Sequence, residues 1–487
     1  MRESGILMPV SALPSSTGVG ELGADTFRFI KNLKHSGVKI WQILPLNPAG
    51  YGNSPYQPYS SCAGDEIYIS LEELYKQGLL KVLPEAFRKN AAKVDYQAVR
   101  EWKEPYLREA CSNFQETEDY QRFVEQPWVK TYGMFRALKK ENGNRCWNEW
   151  KAEDKSWPET GAEVPAHVKE EVQYQMFLQY VFYCQWMAVK KAANDAGIRI
   201  MGDVPFYVGV DSVDVWAGKD NFLLDTDGRP IFIAGVPPDY FSSTGQLWGN
   251  PLYNWEVHQA EGFSWWIKRI QNQLKILDTL RIDHFRGFEA YWSVPYGEET
   301  AVNGHWVKAP GMELFTAVKQ ALGEDLLIIA EDLGVITDEV NALREHFHFP
   351  GMKVLQFAFD STGEGDFLPH RFKSPNCICY TGTHDNDTTR GWFSSLREEC
   401  RNKVLAYTCT KEPENLSFGL IRTCMASIAS YSIFPLQDVL NLGSDARMNF
   451  PGKASGNWNW RFKSGALTDA LAKELKELSI LYGRYYQ

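Results

Sequence analysis

Three short stretches place carboxylates where an apolar run ends. In "TLRIDHFRGF" (279–288), Arg281, Asp283, His284 and Arg286 are set among Leu280, Ile282, Phe285 and Phe288. In an extended chain, residues two apart share a face. Arg281 and Asp283 then point the same way, and the guanidinium is expected to favour the ionised carboxylate and lower its pKa. An ionised, fixed Asp suits a nucleophile or a charge stabiliser. An ion pair that only holds a sheet together is the plainer alternative for this stretch taken alone. The second stretch, "LLIIAEDLG" (326–334), ends five apolar residues in Glu331 and Asp332. These neighbours face opposite ways, so one should face an open mouth while the other packs or caps the next element. The residues by themselves leave that choice open. A carboxyl near another carboxylate and aromatic walls has a raised pKa and can donate a proton at neutral pH.

The third stretch is "YTGTHDNDTT" (380–389). His384, Asp385 and Asp387 are ligand types for a metal, but no paired-His spacing supports one. Hydrogen bonding of His384 and Asp385 to adjacent sugar hydroxyls is the better reading, so neither metal nor cofactor is expected. One carboxylate that attacks and one that protonates the departing oxygen make up retaining glycoside cleavage. A third can steady the positive charge of the transition state. Competing chemistries lack their signatures, since there is no G-x-S-x-G elbow and no phosphate-binding G-x-x-x-x-G-K-[ST] loop. "GVGELG" (18–23) has dinucleotide-like glycines, but "ALPSST" intervenes after the strand. No acidic residue falls between Asp25 and Asp65 to hold a ribose.

Such side chains need a frame that brings several strand ends to one rim. Short apolar runs occur at 5–11, 38–46, 198–206, 279–285, 326–333, 352–359, 378–385 and 431–438. Most are continuous rather than alternating, as parallel strands covered on both faces should be. Amphipathic stretches lie between them, such as "ADTFRFIKNLKHSG" with Gly37 as its stop. This pattern predicts an α/β chain folded as a (β/α)8 TIM barrel, whose active sites lie at the C-terminal ends of the strands. The spacing is uneven. Residues of about 50–197 separate the second and third strands and carry helical periodicity. They are read as helical subdomains inserted in a barrel loop, with a separate N-terminal domain as the alternative. "GVPPDYFSSTGQLWGNPLYNW" (235–255) reads as an irregular insertion. Its aromatics, Tyr240, Phe241, Trp248, Tyr253 and Trp255, suggest a loop over about 235–262 that covers substrate.

Composition narrows the class. A net charge of −10 argues against a nucleic-acid partner. No run approaches the roughly 18 apolar residues of a membrane span. The N-terminal apolar run is too short for a signal peptide. Nine cysteines without a C-x-x-C pair favour reduced thiols and a cytoplasmic location.

Taken together, "RIDHFRGFEAYW", "AEDLGVIT", "PGMKVLQFAFD", "YTGTHDNDTT", "GVPPDYFSSTGQLWGNPLY" and "KASGNW" resemble the 4-α-glucanotransferases, also called amylomaltases. This is glycoside hydrolase family 77 of the α-amylase clan. The resemblance runs from "LPSSTGVGELG" to "SGNWNW"; residues 70–195 match more loosely. It implies transfer of an α-1,4-glucan segment to the 4-hydroxyl of another glucan, with α-glucans as partners. It further implies Asp283 as nucleophile, Glu331 as general acid/base and Asp385 as transition-state stabiliser. Arg281, His384 and Asp203 would surround the donor sugar, with Tyr56 of "GYGNSPYQPY" as an aromatic platform. Phe241, Gln246 and Trp248 would cover the acceptor side, and Asn457 would touch substrate. The one departure noted is "KASGNW", where a proline often precedes the serine. A hydrolase with the same carboxylates and a non-catalytic glucan binder are the alternatives.

Overall fold

The structure is a computed structural model that describes residues 2–87, 92–238, 242–359, 366–453 and 455–486. Its strands are β1 (Glu3–Leu7), β2 (Ile40–Gln42), β3 (Arg199–Val204), β4 (Phe232–Val236), β5 (Gln246–Pro251), β6 (Thr279–Ile282), β7 (Ala290–Pro295), β8 (His305–Lys308), β9 (Ile328–Ala330), β10 (Gly351–Val354), β11 (Cys377–Tyr380) and β12 (Tyr431–Pro435). Eight of them form a parallel sheet in the order β10-β11-β12-β1-β2-β3-β6-β9. The Ala330 N–H donates to Pro350 O, just before β10, at 2.9 Å and closes the ring. Each barrel strand falls within, or within one or two residues of, an apolar run named above.

The inside of the barrel explains why those runs are continuous. Leu7, Ile40, Met201, Ile329, Met352, Val354, Ile378, Tyr380 and Ile433 pack together there, while their neighbours along each strand, such as Ile6, Trp41, Ile200 and Leu280, pack outward. Above the apolar layer the interior turns polar. Asp203 and Arg281 are register partners on β3 and β6, and Tyr380 Oη donates to Gln42 Oε1 at 2.9 Å.

Between β2 and β3 the chain forms the helices Leu71–Lys76, Tyr96–Asn113, Glu118–Val124, Pro127–Glu141, Ala152–Thr160 and Lys169–Asp195. The last of these ends before Gly197, whose φ of +75° suits a residue without a Cβ. It also serves the barrel, because buried Trp186 donates its Nε1–H to Ile276 O at 2.9 Å. A buried lysine ties this segment to the start of the chain. Lys103 Nζ, at 1% exposure, donates to Glu21 Oε1 at 2.5 Å and to Ile67 O and Ile69 O at 2.7 Å each. Among the described residues no helix is long and apolar enough to cross a membrane.

The remaining strands form a second, antiparallel sheet in the order β5-β4-β7-β8. The irregular insertion expected over 235–255 is in part regular: its described residues include the end of β4 and the hairpin partner β5, and the helix Trp255–Ala260 follows. Gly245 at φ +65° allows the turn into β5. Tyr253 and Trp255 are buried with Phe206 and Trp266, so core packing accounts for these two aromatics. Tyr240 and Phe241 lie outside the described residues.

Candidate active site

Asp283 is the first residue beyond β6, and its N–H donates to Val204 O at 3.0 Å. Arg281 Nη1 donates to both oxygens of Asp203, at 2.6 and 2.7 Å, and lies 3.0 Å from Asp283 Oδ1. Arg281 and Asp203 are buried, but the Asp283 side chain keeps 31% of its surface. One carboxylate thus fixes the guanidinium, which in turn fixes a second carboxylate that still looks into open space. The expected lowering of the Asp283 pKa is not found. Burial raises it to about 6; the pull of Arg281 only partly opposes this, and Asp203 and Asp385 add to the rise.

Glu331 is brought beside this group by joined strand ends. Its N–H donates to Ile282 O at 3.0 Å, and its carbonyl accepts from Phe285 N–H at 3.1 Å. Its carboxyl accepts two backbone hydrogen bonds, from His284 N–H at 2.7 Å and from Leu333 N–H at 2.9 Å. His284 has φ +53°, a left-handed backbone that is costly outside glycine and directs its N–H at that carboxyl. Burial first, and the charge of Asp283 second, raise the Glu331 pKa to about 8. Asp332 faces the other way. It accepts from Met352 N–H at 2.6 Å and lies 3.2 Å from Arg344 Nε. It therefore packs β9 against β10 instead of capping a helix, since the next helix begins only at Asp338 with Thr337 before it.

Asp385 sits in the turn after β11. Asn449 Nδ2 donates to its Oδ1 at 2.6 Å, and His384 Nε2 is 3.3 Å from its Oδ2. Tyr56 completes a chain of polar contacts. Its hydroxyl donates to Asp203 Oδ2 at 2.9 Å and is 2.8 Å from His384 Nε2. The two rings stack at 5.2 Å and 13°. One face of the Tyr56 platform is therefore covered by His384. Burial pushes the Tyr56 pKa well up, so the phenol keeps its proton.

Asp283, Asp385 and Tyr56 open on a cleft of about 920 Å³, with Tyr207, Trp248 and His284 among its other walls, while Glu331, Arg281, Asp203 and His384 lie behind these and are not among the residues that line it. Gln246 and Trp248 of β5 line it too, tied to the Tyr56 segment where Gln57 Nε2 donates to Trp248 O at 3.0 Å. Phe241 lies outside the described residues. Asn457 does not line this cleft. Its Oδ1 accepts from Phe450 N–H at 2.9 Å and its Nδ2 donates to Lys453 O at 2.8 Å, so its amide is spent bracing its own loop. The neighbours Asn449 and Trp458 line the cleft instead, as do Tyr207 and His284. No spacing signal marked Asn449 or Tyr207. His284 stood in the quoted charge cluster without a role.

Comparison with known proteins gives a consistent outcome. A family model described as 4-alpha-glucanotransferase, glycoside hydrolase family 77, matches residues 8–468. A 4-alpha-glucanotransferase of Synechocystis sp. is 48% identical, with 99% of this chain and 98% of the relative covered. One from Thermus thermophilus is 44% identical with 98% of each covered. An amylomaltase from Streptococcus agalactiae, solved in complex with acarbose, superposes with a TM-score of 0.95 at 40% identity over 100% of both chains. The chain belongs to glycoside hydrolase family 77, the 4-alpha-glucanotransferases.

Proposed function

We propose that this family member performs its reaction with Asp283, Glu331 and Asp385 by a retaining double displacement. The chain is a 4-alpha-glucanotransferase, and its substrates are α-glucans. In the first step Glu331 gives its proton to the glycosidic oxygen as Asp283 attacks C1. The C1–O bond to the leaving glucan breaks and an ester to Asp283 forms. Asp385, fixed by Asn449, steadies the positive charge on the sugar. In the second step ionised Glu331 takes the proton of an acceptor 4-hydroxyl. That oxygen attacks C1 and displaces the Asp283 carboxylate. Arg281 and Asp203 hold the nucleophile in place, while Tyr56 and His384 face the donor sugar.

The observation that carries this reading is the joining of the β6 and β9 ends, which seats a proton-holding carboxyl beside a more acidic one. Environments that push two carboxyls apart in pKa assign acid and nucleophile. Trp248, Tyr207 and Trp458 supply faces on which an acceptor sugar can stack and which keep water away, and Gln246 supplies an amide that can hydrogen-bond the sugar's hydroxyls. Residues 50–197 act in this reading as an insertion of the barrel. Trp186 and the continuous core shared with Ile6 and Trp41 support that. Nine unpaired cysteines support a cytoplasmic location.

Incubation of the pure protein with maltotriose tests the reaction. Glucose together with longer glucans is the expected result. Shorter products alone would mean hydrolysis through the same intermediate and would overturn transfer.

A further inference from the structure

Arg286 is a buried guanidinium without a carboxylate partner among the described residues. It lies in the short turn Phe285–Phe288 that follows Asp283 and His284. Its Nη1 donates to Val335 O at 2.6 Å, and its Nε donates to Ala290 O at 3.3 Å. Its flat face lies 3.8 Å from the centroid of the Trp306 ring. Glu289, whose charge reaches it, is paired with Lys308. Taking a cation out of water and offering it only carbonyls and a ring is a poor source of stability, and an apolar side chain would fill the place at less cost. What the guanidinium does supply is a planar fork reaching three elements at once.

Those elements matter because of what they hold. The two hydrogen bonds on the Glu331 carboxyl land on different oxygens, Oε2 and Oε1. One comes from His284 N–H, in the segment that continues into Arg286. The other comes from Leu333 N–H, in the loop whose Val335 carbonyl Arg286 grips. That loop also contains Gly334 at φ +89° and the exposed side chain of Val335. We propose that Arg286 is a positioning residue for the proton donor: it clamps together the two backbone segments that orient the Glu331 carboxyl, with the Trp306 ring as its backing. This rests on the reading of Glu331 as acid/base. It extends the site into the second sheet, since Trp306 belongs to edge strand β8 and packs against Trp292 of β7 at 5.2 Å.

The test uses the full chain with maltotriose. Arg286→Lys keeps the charge but loses the fork and the flat face. A displaced acid/base lowers turnover steeply, so kcat should fall about tenfold while KM stays within about twofold. The charged groups facing Glu331 are Asp283 and Arg281 of the β6 end, which the variant leaves in place. Burial is the main cause of the raised Glu331 pKa. A loosened loop that admits water should therefore move the upper limb of the pH profile down by about half a unit. Trp306→Leu, at a ring that is 40% exposed, should move the same limb the same way by less. It carries the test if Arg286→Lys does not fold. Profiles of the folded variants that superimpose on the parent, with unchanged kcat, overturn the proposal. Glu331→Gln is the control. If it retains turnover, the proton-donor reading itself fails; if it is inactive while Arg286→Lys and Trp306→Leu are unchanged, only the clamp fails.

Discussion

Lys103 and Arg281 are buried cations that hold carboxylates in opposite ways. Lys103 spends all three of its donors inside the protein, on Glu21 and on the carbonyls of Ile67 and Ile69. Burial pushes Lys103 down and Glu21 up, each towards its neutral form, and their mutual attraction opposes this. Glu21 borders a polar surface pocket beside Thr17 and Ser70, but its side chain keeps only 9% of its surface. Arg281 is buried as deeply, yet it engages one sealed carboxylate, Asp203, and one that keeps open surface, Asp283. A closed set of partners marks a structural pair. A set with one carboxylate left half-free marks a group with something still to bind.

The largest effect should come from the open pair. Asp283→Asn removes the attacking oxygen with little change of shape, so turnover should fall by about 10⁴-fold or more while the fold survives, as circular dichroism would show. If that variant turned over normally, the distinction between open and closed pairs would mean nothing. Lys103→Met should do the reverse. It leaves a buried carboxylate without its cation and should cost about 3–5 kcal/mol of stability, read from denaturant unfolding. Activity per folded molecule should be unchanged, and a specific loss of turnover would break the comparison from the other side.

A smaller effect sharpens it. The active form needs Asp283 ionised and Glu331 protonated. Activity should fall below the lower of their pKa values, about 6, as Asp283 gains a proton. It should fall again above the higher, about 8, as Glu331 loses one. The kcat/KM profile should be a bell whose limbs belong to the pair; a profile flat from pH 5 to 9 would refute the assignment. The smallest effect is expected from Tyr56→Phe, which deletes the hydroxyl between Asp203 and His384. A drop in kcat of about tenfold is expected, since one hydrogen bond to a charged group is lost.

The barrel was legible because its strands are buried on both faces, and that leaves unbroken apolar runs in the chain. The second sheet left no such trace. β8 reads His305, Trp306, Val307, Lys308, exposed along most of its length, and β4 and β5 are joined through Pro237, Pro238 and Gly245, which read as loop. The same blindness to depth led Tyr253 and Trp255 to be read as lid residues, although both belong to the core. At the site, the carboxylates could be found because each ends an apolar run. The shift of Asp283 could not, because one-dimensional reasoning saw Arg281 beside it but not the loss of water or the second aspartate across on β3. Asn457 shows the same limit. Its loop reaches the cleft, while its amide is turned inward on the loop itself.

The pairing of β1 sets a condition on how the molecule is made. Glu3 lies opposite Tyr431 and Gly5 opposite Ile40, so β1 stays half-matched until distant β12 has been synthesised. During that interval an unpaired edge is on show, open to wrong partners. Pairing of β1 with β12 is thus a late event with high contact order. A slow refolding phase after dilution from denaturant, absent when the β12 segment is removed, would be its kinetic mark.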